Sequence, residues 1–309
     1  MTAAQETFES LRPLLFAIAY RMLASVSDAE DVLQEAYLRY RRAIDDGIAI
    51  TSLKAYLSTI VTRLALDHAK SAQQRREEYV GVWLPTPLLG DDGADDPAAR
   101  AELQDSLSMA FLLVLERLNP VERAVFLLHD VFGYGHDEIA SIVEVSPANS
   151  RQIAARARRR VQAERPRFES SPAERDRLAE RFFAAVTDGD VDGLVQMLAD
   201  DVVLYGDGGG KVPQWKGPID GADRVSRLFA GMGNQFGEVG VHLDLQRING
   251  QPGALVRDRD GSVVAAWVLE IGHGVVRTIR SVINPDKLQH IGPVADVVAI
   301  AARRAGRRW

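Results

Sequence analysis

The sequence predicts a multidomain protein in which two all-α helical domains are followed by an α+β domain. Three observations lead to this fold class. The chain has 309 residues, of which 46% are hydrophobic and 26% charged, and this length exceeds what one core usually organises. Apolar residues recur at helical spacing through residues 8–76 and again from about Ala98 to Arg165. After Ser170 the spacing falls toward two, which is typical of strands.

Changes in composition set the expected domain boundaries. Pro, Gly and Asp are concentrated between the two helical blocks, which indicates a linker, although Trp83 and Leu84 are more apolar than a solvated linker requires. Strands are expected in VVLYG, VHLDLQRI, SVVAAWVLEI and VVRTIRSVI. The predicted parts are a helical domain at 1–76, a linker at 77–97, a helical domain at 98–168, an α+β domain at 171–290 and a tail at 291–309.

Capping residues predict where several helices begin. Ser27 or Asp28 is expected to cap the second helix. Ser171 and Glu174 form a capping box around Pro172, and Asp190 is expected to cap the helix after that one.

Composition excludes several kinds of chemistry. The chain has no cysteine, so disulfides, thiolate metal sites and thiol nucleophiles are absent. Neither end carries an apolar run of the length that a signal peptide or membrane span requires. We therefore expect a cytoplasmic protein with no membrane partner, no cofactor and no metal.

Charge is distributed unevenly along the chain. The net charge is −6, yet residues 151–167 contain seven Arg and one Glu. Residues 28–35 contain four acids and no base. Such local asymmetry creates surface potentials that the total does not show, so a weakly acidic chain can still bind nucleic acid.

The spacing of residues 119–163 predicts a helix-turn-helix. Asn119-Pro120 opens one helix, Gly133-Tyr134-Gly135 forms a turn, and Ser146-Pro147 begins the last helix. On that helix Ile153, Ala157 and Val161 recur at four-residue steps and are expected to face the core.

The opposite face of this last helix is expected to contact DNA. In a helix-turn-helix the first part of the second helix reads base edges in the major groove, while basic groups bind phosphates. The alternative is a solvated Arg-rich face without DNA. The residues expected to contact DNA on this side are Ser146, the candidate base readers Asn149, Arg151, Gln152 and Arg156, and the phosphate contacts Arg158, Arg159 and Arg160.

The two helical blocks together resemble an extracytoplasmic-function sigma factor, a specificity subunit of RNA polymerase. DAEDVLQEAYLRY resembles the helix that docks on the polymerase, and TSLKAYLSTIVTRLALDHAKSAQQRREEYVG resembles the segment that melts and reads the −10 element. LNPVERAVFLLHDVFGYGHDEIASIVEVSPANSRQIAARARRR resembles the −35 reader, so the resemblance covers about residues 6–165.

This resemblance implies two further sets of functional residues. Basic residues along one helix suit a groove for single-stranded DNA. The expected −10 contacts are Arg63, Asp67, His68, Lys70, Arg75 and Arg76. The expected polymerase contacts are Asp28, Glu30, Asp31 and Glu35, which could alternatively serve only as first-turn helix charges.

Residues 172–290 resemble a SnoaL-like domain, which implies an α+β cone with a curved mixed sheet around a pocket. A small-molecule ligand in this pocket is left open as a further partner. No acid–base pair at a defined spacing is evident, so no catalytic residue is expected. The polar groups considered near the pocket are Tyr205, Asp207, Trp215, His242, Asp244 and Arg257.

Three short motifs resemble sigma factors that carry such a domain fused at the C-terminus. They are WLPTPL (83–88), DGGGK (207–211) and NPDKL (284–288), and the subgroup usually has Glu where Thr86 stands. The hypothesis is that the C-terminal domain docks on the linker and the helical blocks. The residues assigned to this regulation are Trp83, Leu84, Pro85, Asp207, Gly208, Gly209, Gly210, Lys211, Asn284, Pro285, Asp286 and Lys287.

The predicted function is therefore that of a sigma factor that directs promoter-specific transcription initiation and is regulated in cis by its C-terminal domain. Its expected partners are core RNA polymerase and promoter DNA. One alternative is a ligand-responsive helix-turn-helix regulator, which leaves the first 76 residues unexplained. Another is a SnoaL-type isomerase or hydrolase with helical appendages, which leaves both basic segments unexplained.

Overall fold

The computed structural model describes residues 3–90, 106–164, 171–212, 214–215 and 217–300, with only the backbone described at 3–5, 72–75 and 77. Contacts divide the chain into two compact units. The helical unit contains Met1–Glu78 and Phe111–Arg165, and the C-terminal unit contains Tyr79–Ala110 and Pro166–Trp309. Among the described helices, none is long and apolar enough to cross a membrane.

The helical unit begins with three long helices, α1 (Ala3–Leu23), α2 (Val26–Asp45) and α3 (Leu53–Glu77). Leu15, Leu33 and Leu57 are buried where these helices meet. Ser25 caps α2 by accepting a hydrogen bond from the Asp28 N–H, so the expected cap at Ser27 or Asp28 is wrong. The reason is that Ala24 adopts a positive φ of 52°, which ends α1 early and leaves Ser25 extended.

The second helical block contains α4 (Met109–Leu115), α5 (Pro120–Phe126), a π-helical turn (Leu127–Val131), α6 (His136–Val143) and α7 (Pro147–Glu164). The helix-turn-helix is formed by α6 and α7. Asn119 and Glu122 form a capping box at α5, and Ile153, Ala157 and Val161 are buried as the spacing predicts. The expected start of this block near Ala98 lies outside the described residues.

The C-terminal unit packs helices against a mixed sheet. Its helices are α8 (Pro172–Asp188), α9 (Val191–Met197) and α10 (Ala222–Val239). The predicted caps at Ser171 and Asp190 are present. The strands are β1 (Leu198–Asp207), β2 (Ile219–Asp220), β3 (His242–Ile248), β4 (Gln251–Arg257), β5 (Val263–Gly272) and β6 (Val275–Val282).

The described strands form one six-stranded sheet in the order β2-β1-β6-β5-β4-β3. β1 and β6 run parallel, and the other neighbours run antiparallel, which gives the predicted mixed sheet. Register shifts in β1, β4 and β5 bend these strands. Phe182, Phe229 and Trp267 are buried between the helices and the sheet.

Candidate functional site

Helix α7 carries the residues assigned to the −35 element. The Ser146 hydroxyl accepts a hydrogen bond from the Asn149 N–H and so caps the helix. The side chains along one face of α7 are exposed, and they are those of Asn149, Arg151, Gln152, Arg156 and Arg159. This face is therefore open to a large polar partner such as a DNA groove.

Two of the expected phosphate contacts have intramolecular acid partners. Arg158 pairs with Asp130, with Nη2 2.6 Å from Oδ1. Arg160 pairs at 3.0 Å with Glu122, a residue that is itself 7% exposed. These acids compete with phosphate for the two guanidinium groups, so they moderate the basic character of α7.

The four acids assigned to polymerase binding lie in the first half of α2. Asp31 is exposed, and Asp28 lies at the capped start of the helix. Glu30 pairs with Arg12, while Glu35 accepts a hydrogen bond from Arg39 at 2.8 Å. The Arg39 hydrogen bond lowers the pKa of Glu35, so that carboxylate stays ionised on the surface.

Helix α3 carries the residues assigned to the −10 element. Asp67 and Lys70 are exposed and lie 3.3 Å apart, and His68 is half-buried. The Arg75 side chain lies outside the described residues. Arg63 donates to the carbonyl oxygens of Ser141 (2.9 Å) and Ile142 (3.0 Å) at the C-terminal end of α6. A helix C-terminus is a favourable place for a cation, so the second helical block holds this expected DNA contact.

Arg76 is also held inside the helical unit. Its guanidinium contacts the carboxylate of Glu116 and donates to the Leu23 carbonyl at 2.6 Å. Glu116 also pairs at 2.8 Å with Arg123, whose Nη1 donates to the Met22 carbonyl at 2.6 Å. Burial lowers the pKa of Arg123 to about 10, so it remains charged at neutral pH. Glu116 therefore joins one arginine from each helical block.

A buried hydrogen bond joins the same two blocks. The Ser58 and Tyr134 hydroxyls lie 2.7 Å apart, and the Lys54 ammonium lies 5.6 Å from the centre of the Tyr134 ring. Burial raises the pKa of Tyr134, which keeps its phenol protonated. Sequence spacing offers no sign of this pair, since its members lie 76 positions apart.

The C-terminal unit holds the linker segment, defined here as Tyr79–Leu89, through a buried carboxylate. Asp207 ends β1 and is fully buried. Its Oδ1 accepts from the Tyr79 hydroxyl, and its Oδ2 accepts from the Leu84 N–H at 2.8 Å and from Lys287 Nζ at 2.7 Å. Burial, followed by the Asp207 hydrogen bond, raises the pKa of Tyr79, so the phenol stays a donor.

Lys287 completes this group of residues. Its ammonium lies 4.9 Å from the Tyr79 ring centre and 4.5 Å from the Trp83 ring centre, and it donates to the Leu84 carbonyl. Cation–π contacts of this kind are most favourable when water is excluded. The Asn284 amide donates to the Tyr79 hydroxyl at 2.8 Å. We call Asp207, Tyr79, Leu84, Asn284 and Lys287 the Asp207 cluster.

The glycines of DGGGK let the chain turn tightly beside the Asp207 cluster. Gly209 and Gly210 have positive φ angles of 61° and 68°. A Cβ on Gly209 would lie 2.3 Å from the Asn284 amide nitrogen, and one on Gly208 would lie 3.0 Å from the Val212 carbonyl oxygen. Gly209 is therefore favoured both by its conformation and by the lack of space for a Cβ, and Gly210 by its conformation.

The remaining motif residues lie around this cluster. Lys211 forms an exposed ion pair with Asp286, which joins DGGGK to NPDKL. Pro285 and Asp286 belong to a 3-10 turn capped by Asn284. Pro85 and Thr86 are buried within the linker segment. The three motifs, which are far apart in sequence, are thus brought together.

Two linker anchors were missed by the sequence analysis. Asn249 accepts from the Leu88 N–H at 3.0 Å through its side chain, and its own N–H donates to the Leu88 carbonyl at 2.7 Å. His290 Nε2 lies 2.7 Å from the Pro87 carbonyl oxygen. The Asn249-Gly250 pair signals a hairpin turn, and Asn249 has a positive φ of 53°, but neither fact announces a linker contact.

The His290 contact predicts a dependence of stability on pH. His290 is exposed as a residue, but desolvation of its ring at the Pro87 contact lowers the pKa of His290 below 6.5, the ordinary value for an imidazole. The unfolded chain then binds more protons than the folded chain below about pH 6.5, so the free energy of unfolding should fall as the pH is lowered through this range. Urea unfolding of the wild type and of His290→Gln at pH 7.5 and 5.5 checks this, since the variant should lose less stability on acidification. An equal loss in both proteins would contradict the assignment.

A cavity of about 430 Å³ lies in the C-terminal unit beside α10. Of the polar groups expected near a pocket, Trp215 lines it, and Tyr205, Asp207, His242, Asp244 and Arg257 are not among its lining residues. Strand alternation explains why Asp207 does not line the cavity. Gly206 lies next to Trp215, so the side chain of its neighbour Asp207 points to the other face of the sheet, toward the linker segment. Asp244 instead pairs with Arg257 at 3.1 Å.

Comparison with known families places these features. The chain matches Sigma-70 region 2 over residues 7–76, Sigma-70 region 4 over residues 108–161, and a SnoaL-like domain over residues 179–285. The fold and these matches define the class as RNA polymerase sigma factors that carry a SnoaL-like domain.

Relatives of similar length narrow the class. The chain is 35% identical over 289 residues to ECF RNA polymerase sigma factor SigJ of Mycobacterium tuberculosis, covering 91% of each chain. It is 32% identical over 286 residues to the probable ECF RNA polymerase sigma factor SigI of that species, covering 90% of this chain and 92% of the relative. The crystal structure of SigJ matches with a TM-score of 0.70 at 33% identity, over 94% of this chain and 99% of that one.

The chain belongs to the extracytoplasmic-function (ECF) RNA polymerase sigma factors. It directs promoter-specific transcription initiation, and sigma factors do so by binding core RNA polymerase and promoter DNA. The region 2 match accounts for the first 76 residues, which a simple helix-turn-helix regulator left unexplained.

Proposed function

We propose that the SnoaL-like domain regulates this sigma factor in cis by holding the linker segment at the Asp207 cluster. The observation that carries the proposal is the buried Asp207 carboxylate, which binds the Leu84 N–H, the Tyr79 hydroxyl and Lys287 together. A buried carboxylate is stable only when its partners are present. Release of the linker segment therefore requires the whole cluster to open.

The helical unit supports a restrained resting state. Arg63 and Arg76, assigned to the −10 element, are bound to the second helical block and its flanking Glu116. A guanidinium that is held by carbonyl and carboxylate oxygens offers few free donors to a phosphate. In this proposal the two helical blocks separate when the factor engages polymerase and promoter, which frees both arginines.

The other assigned residues divide the remaining work. The exposed face of α7, including Asn149, Gln152 and Arg156, reads the −35 element, and the acids of α2 contact polymerase. Both roles place the protein in the cytoplasm with its polymerase. In this proposal the SnoaL-like domain acts as a regulator of the sigma factor.

Run-off transcription with core RNA polymerase tests regulation in cis. Asp207→Ala should raise promoter-specific output at least threefold at unchanged affinity for core polymerase, because the linker segment is released. The matched control is Asp260→Ala, at an exposed carboxylate in a turn of the same domain. Equal output from the wild type and Asp207→Ala would contradict the proposal. Reduced output would mean that holding the linker segment activates transcription instead of restraining it.

Base readers on α7 should differ from phosphate contacts. Replacing Asn149 or Gln152 by Ala should cost about 1–3 kcal/mol of promoter binding and relax the preference at one base position. Arg159→Ala should instead weaken binding to all sequences evenly and reduce its salt dependence. Binding to a panel of single-base promoter variants at two salt concentrations separates these results. An even loss from all three variants would refute the division between base readers and phosphate contacts.

Separation of the helical blocks can be measured by energy transfer. Because the chain has no native cysteine, cysteines placed at exposed Gln34 on α2 and Gln162 on α7 can be labelled specifically. Transfer between the dyes should fall when core polymerase is added. The control pair, Gln34→Cys with Leu38→Cys, lies on one helix and should show no change. Unchanged transfer in the first pair would contradict a closed resting state.

A further inference from the structure

The cavity in the SnoaL-like domain has a distinct chemical character. Its volume of about 430 Å³ falls within the range typical of small-molecule sites. Aromatic rings of Trp215, Phe236 and Trp267 form part of its wall, and aliphatic side chains, mainly from α10 and the sheet together with Val297 and Ile300, form most of the rest. A planar apolar molecule suits such a lining.

The lining also excludes charged ligands. Among the described lining residues none carries an ionisable side chain. A charged group moved from water into such a site would have no counter-ion and would pay a large desolvation cost. The lining therefore selects neutral molecules.

Besides its tryptophans, the described lining carries three polar side chains, those of Gln214, Gln235 and Ser281, and Gln235 is half-exposed. The Gln214 Nε2 is buried without a hydrogen-bond partner, whereas Ser281 Oγ already accepts from the Trp267 indole at 3.1 Å. A buried amide donor without an acceptor is unfavourable, and a ligand carbonyl oxygen would satisfy it. The lining thus suits a neutral, mainly apolar molecule that carries one carbonyl acceptor.

The cavity wall adjoins the Asp207 cluster through two paired strands. Ser281 lines the cavity and pairs in the sheet with Gly206, the residue before Asp207. Ile283 also lines the cavity, and its N–H donates to the Asp207 carbonyl at 2.9 Å. Asn284, a member of the cluster, donates to the same carbonyl at 3.0 Å.

We infer that this cavity binds a neutral aromatic or alicyclic ketone and that its occupancy stabilises the Asp207 cluster. A ligand packed against Ser281 and Ile283 would fix the end of β6, and this end positions both the Asp207 backbone and Asn284. Ligand binding to the cavity does not depend on the proposed function. The regulatory effect of a stabilised Asp207 cluster does rest on the proposed function.

Binding is tested with prodan, a neutral naphthalene ketone whose emission shifts to the blue in apolar sites. The full chain should bind prodan saturably at one site, and the bound prodan should quench the emission of Trp215 and Trp267. Anilinonaphthalene sulfonate, an anion of similar size, should bind about tenfold more weakly. Absence of a saturable blue shift, or equal affinity for the anion, would overturn the inference.

Three variants locate the probe. Met232→Trp fills the cavity from α10 and should abolish prodan binding, while Arg227→Trp, at an exposed position on α10, should leave it unchanged. Gln214→Leu should weaken prodan binding about three- to tenfold through loss of one hydrogen bond. If Met232→Trp binds prodan as well as Arg227→Trp does, the probe lies elsewhere and the site is wrong.

Coupling is measured without polymerase. Saturating prodan should slow deuterium uptake by the peptide of residues 79–90 at least threefold in the wild type and have no effect in Met232→Trp. Unchanged or faster uptake in the wild type would overturn the coupling. Neither the prodan assay nor the deuterium-uptake assay uses transcription. A failure of the ligand inference can therefore be told apart from a failure of regulation in cis, which the run-off experiment with Asp207→Ala decides.

Discussion

Replacing Asp207 by Ala is expected to lower the free energy of unfolding of the C-terminal unit by about 3–5 kcal/mol, the usual cost of removing one partner from a buried ion pair. Asp207 is fully buried, and its removal takes away the carboxylate that Lys287, the Leu84 N–H and the Tyr79 hydroxyl share. Urea denaturation measures the loss. Limited proteolysis should at the same time show faster cleavage within the linker segment.

Asp207→Asn is the informative companion variant. It keeps the shape and one acceptor oxygen but removes the charge that Lys287 needs, so its loss should be smaller than that of Asp207→Ala. Asp260→Ala, at an exposed carboxylate, should change the free energy of unfolding by no more than about 0.5 kcal/mol. A loss from Asp207→Ala that is no larger than the loss from Asp260→Ala would mean that the cluster contributes nothing to holding the linker.

Glu116→Ala should cause the second large effect, a loss of about 3 kcal/mol from the stability of the helical unit. Glu116 pairs with both Arg76 and Arg123, and Arg123 is 4% exposed and stays charged. Without Glu116 the buried Arg123 cation keeps only the Met22 carbonyl among the partners named above. Urea denaturation of the full chain, monitored through the emission of dyes attached to the helical unit, measures this loss.

Arg117→Ala is the matched control for Glu116→Ala. Arg117 is the adjacent residue, and its pair with Glu164 leaves the arginine side chain 71% exposed. Exposed pairs contribute about 0–1 kcal/mol, so this variant should remain near wild-type stability. A loss from Glu116→Ala as small as that expected of Arg117→Ala would mean that Glu116 contributes no more than an ordinary surface residue.

Local features of the fold could be predicted from the sequence because their causes are local. Asn119-Pro120 and Ser146-Pro147 begin helices where the spacing places them, since caps and proline act within one turn. The buried face of α7 followed from Ile153, Ala157 and Val161 for the same reason. The fold class and the family followed from several such signals in order.

Features that depend on the rest of the fold could not be predicted in this way. Strand β4 was missed because Pro252 and Gly253 lie within it, and both are unusual in a strand interior. The cap at Ser25 depends on the positive φ of Ala24. The assigned roles of the DNA, polymerase and linker residues stay predictions.

The contacts of the candidate sites were the least predictable part. Arg63 and Ser141, or His290 and Pro87, meet only because many intervening residues fold first. The family resemblance and the basic residues along α3 singled out Arg63 and Arg76 as DNA contacts, yet neither carries information on the carbonyls and carboxylate that hold them here. Such pairings are set by tertiary packing, which a single sequence does not encode in any short pattern.

Next to the Leu88–Asn249 hydrogen bonds, Leu89 forms a short antiparallel bridge with Ile248, and this pairing has a consequence for the lifetime of a released molecule. β3 is the outermost strand of its sheet, and the bridge covers backbone groups at its end. Once these groups are uncovered, they can pair with a strand from another molecule. Under the proposed regulation in cis, a sigma factor freed from its restraint would then become prone to aggregate, so its period of activity would be limited by the same movement that began it.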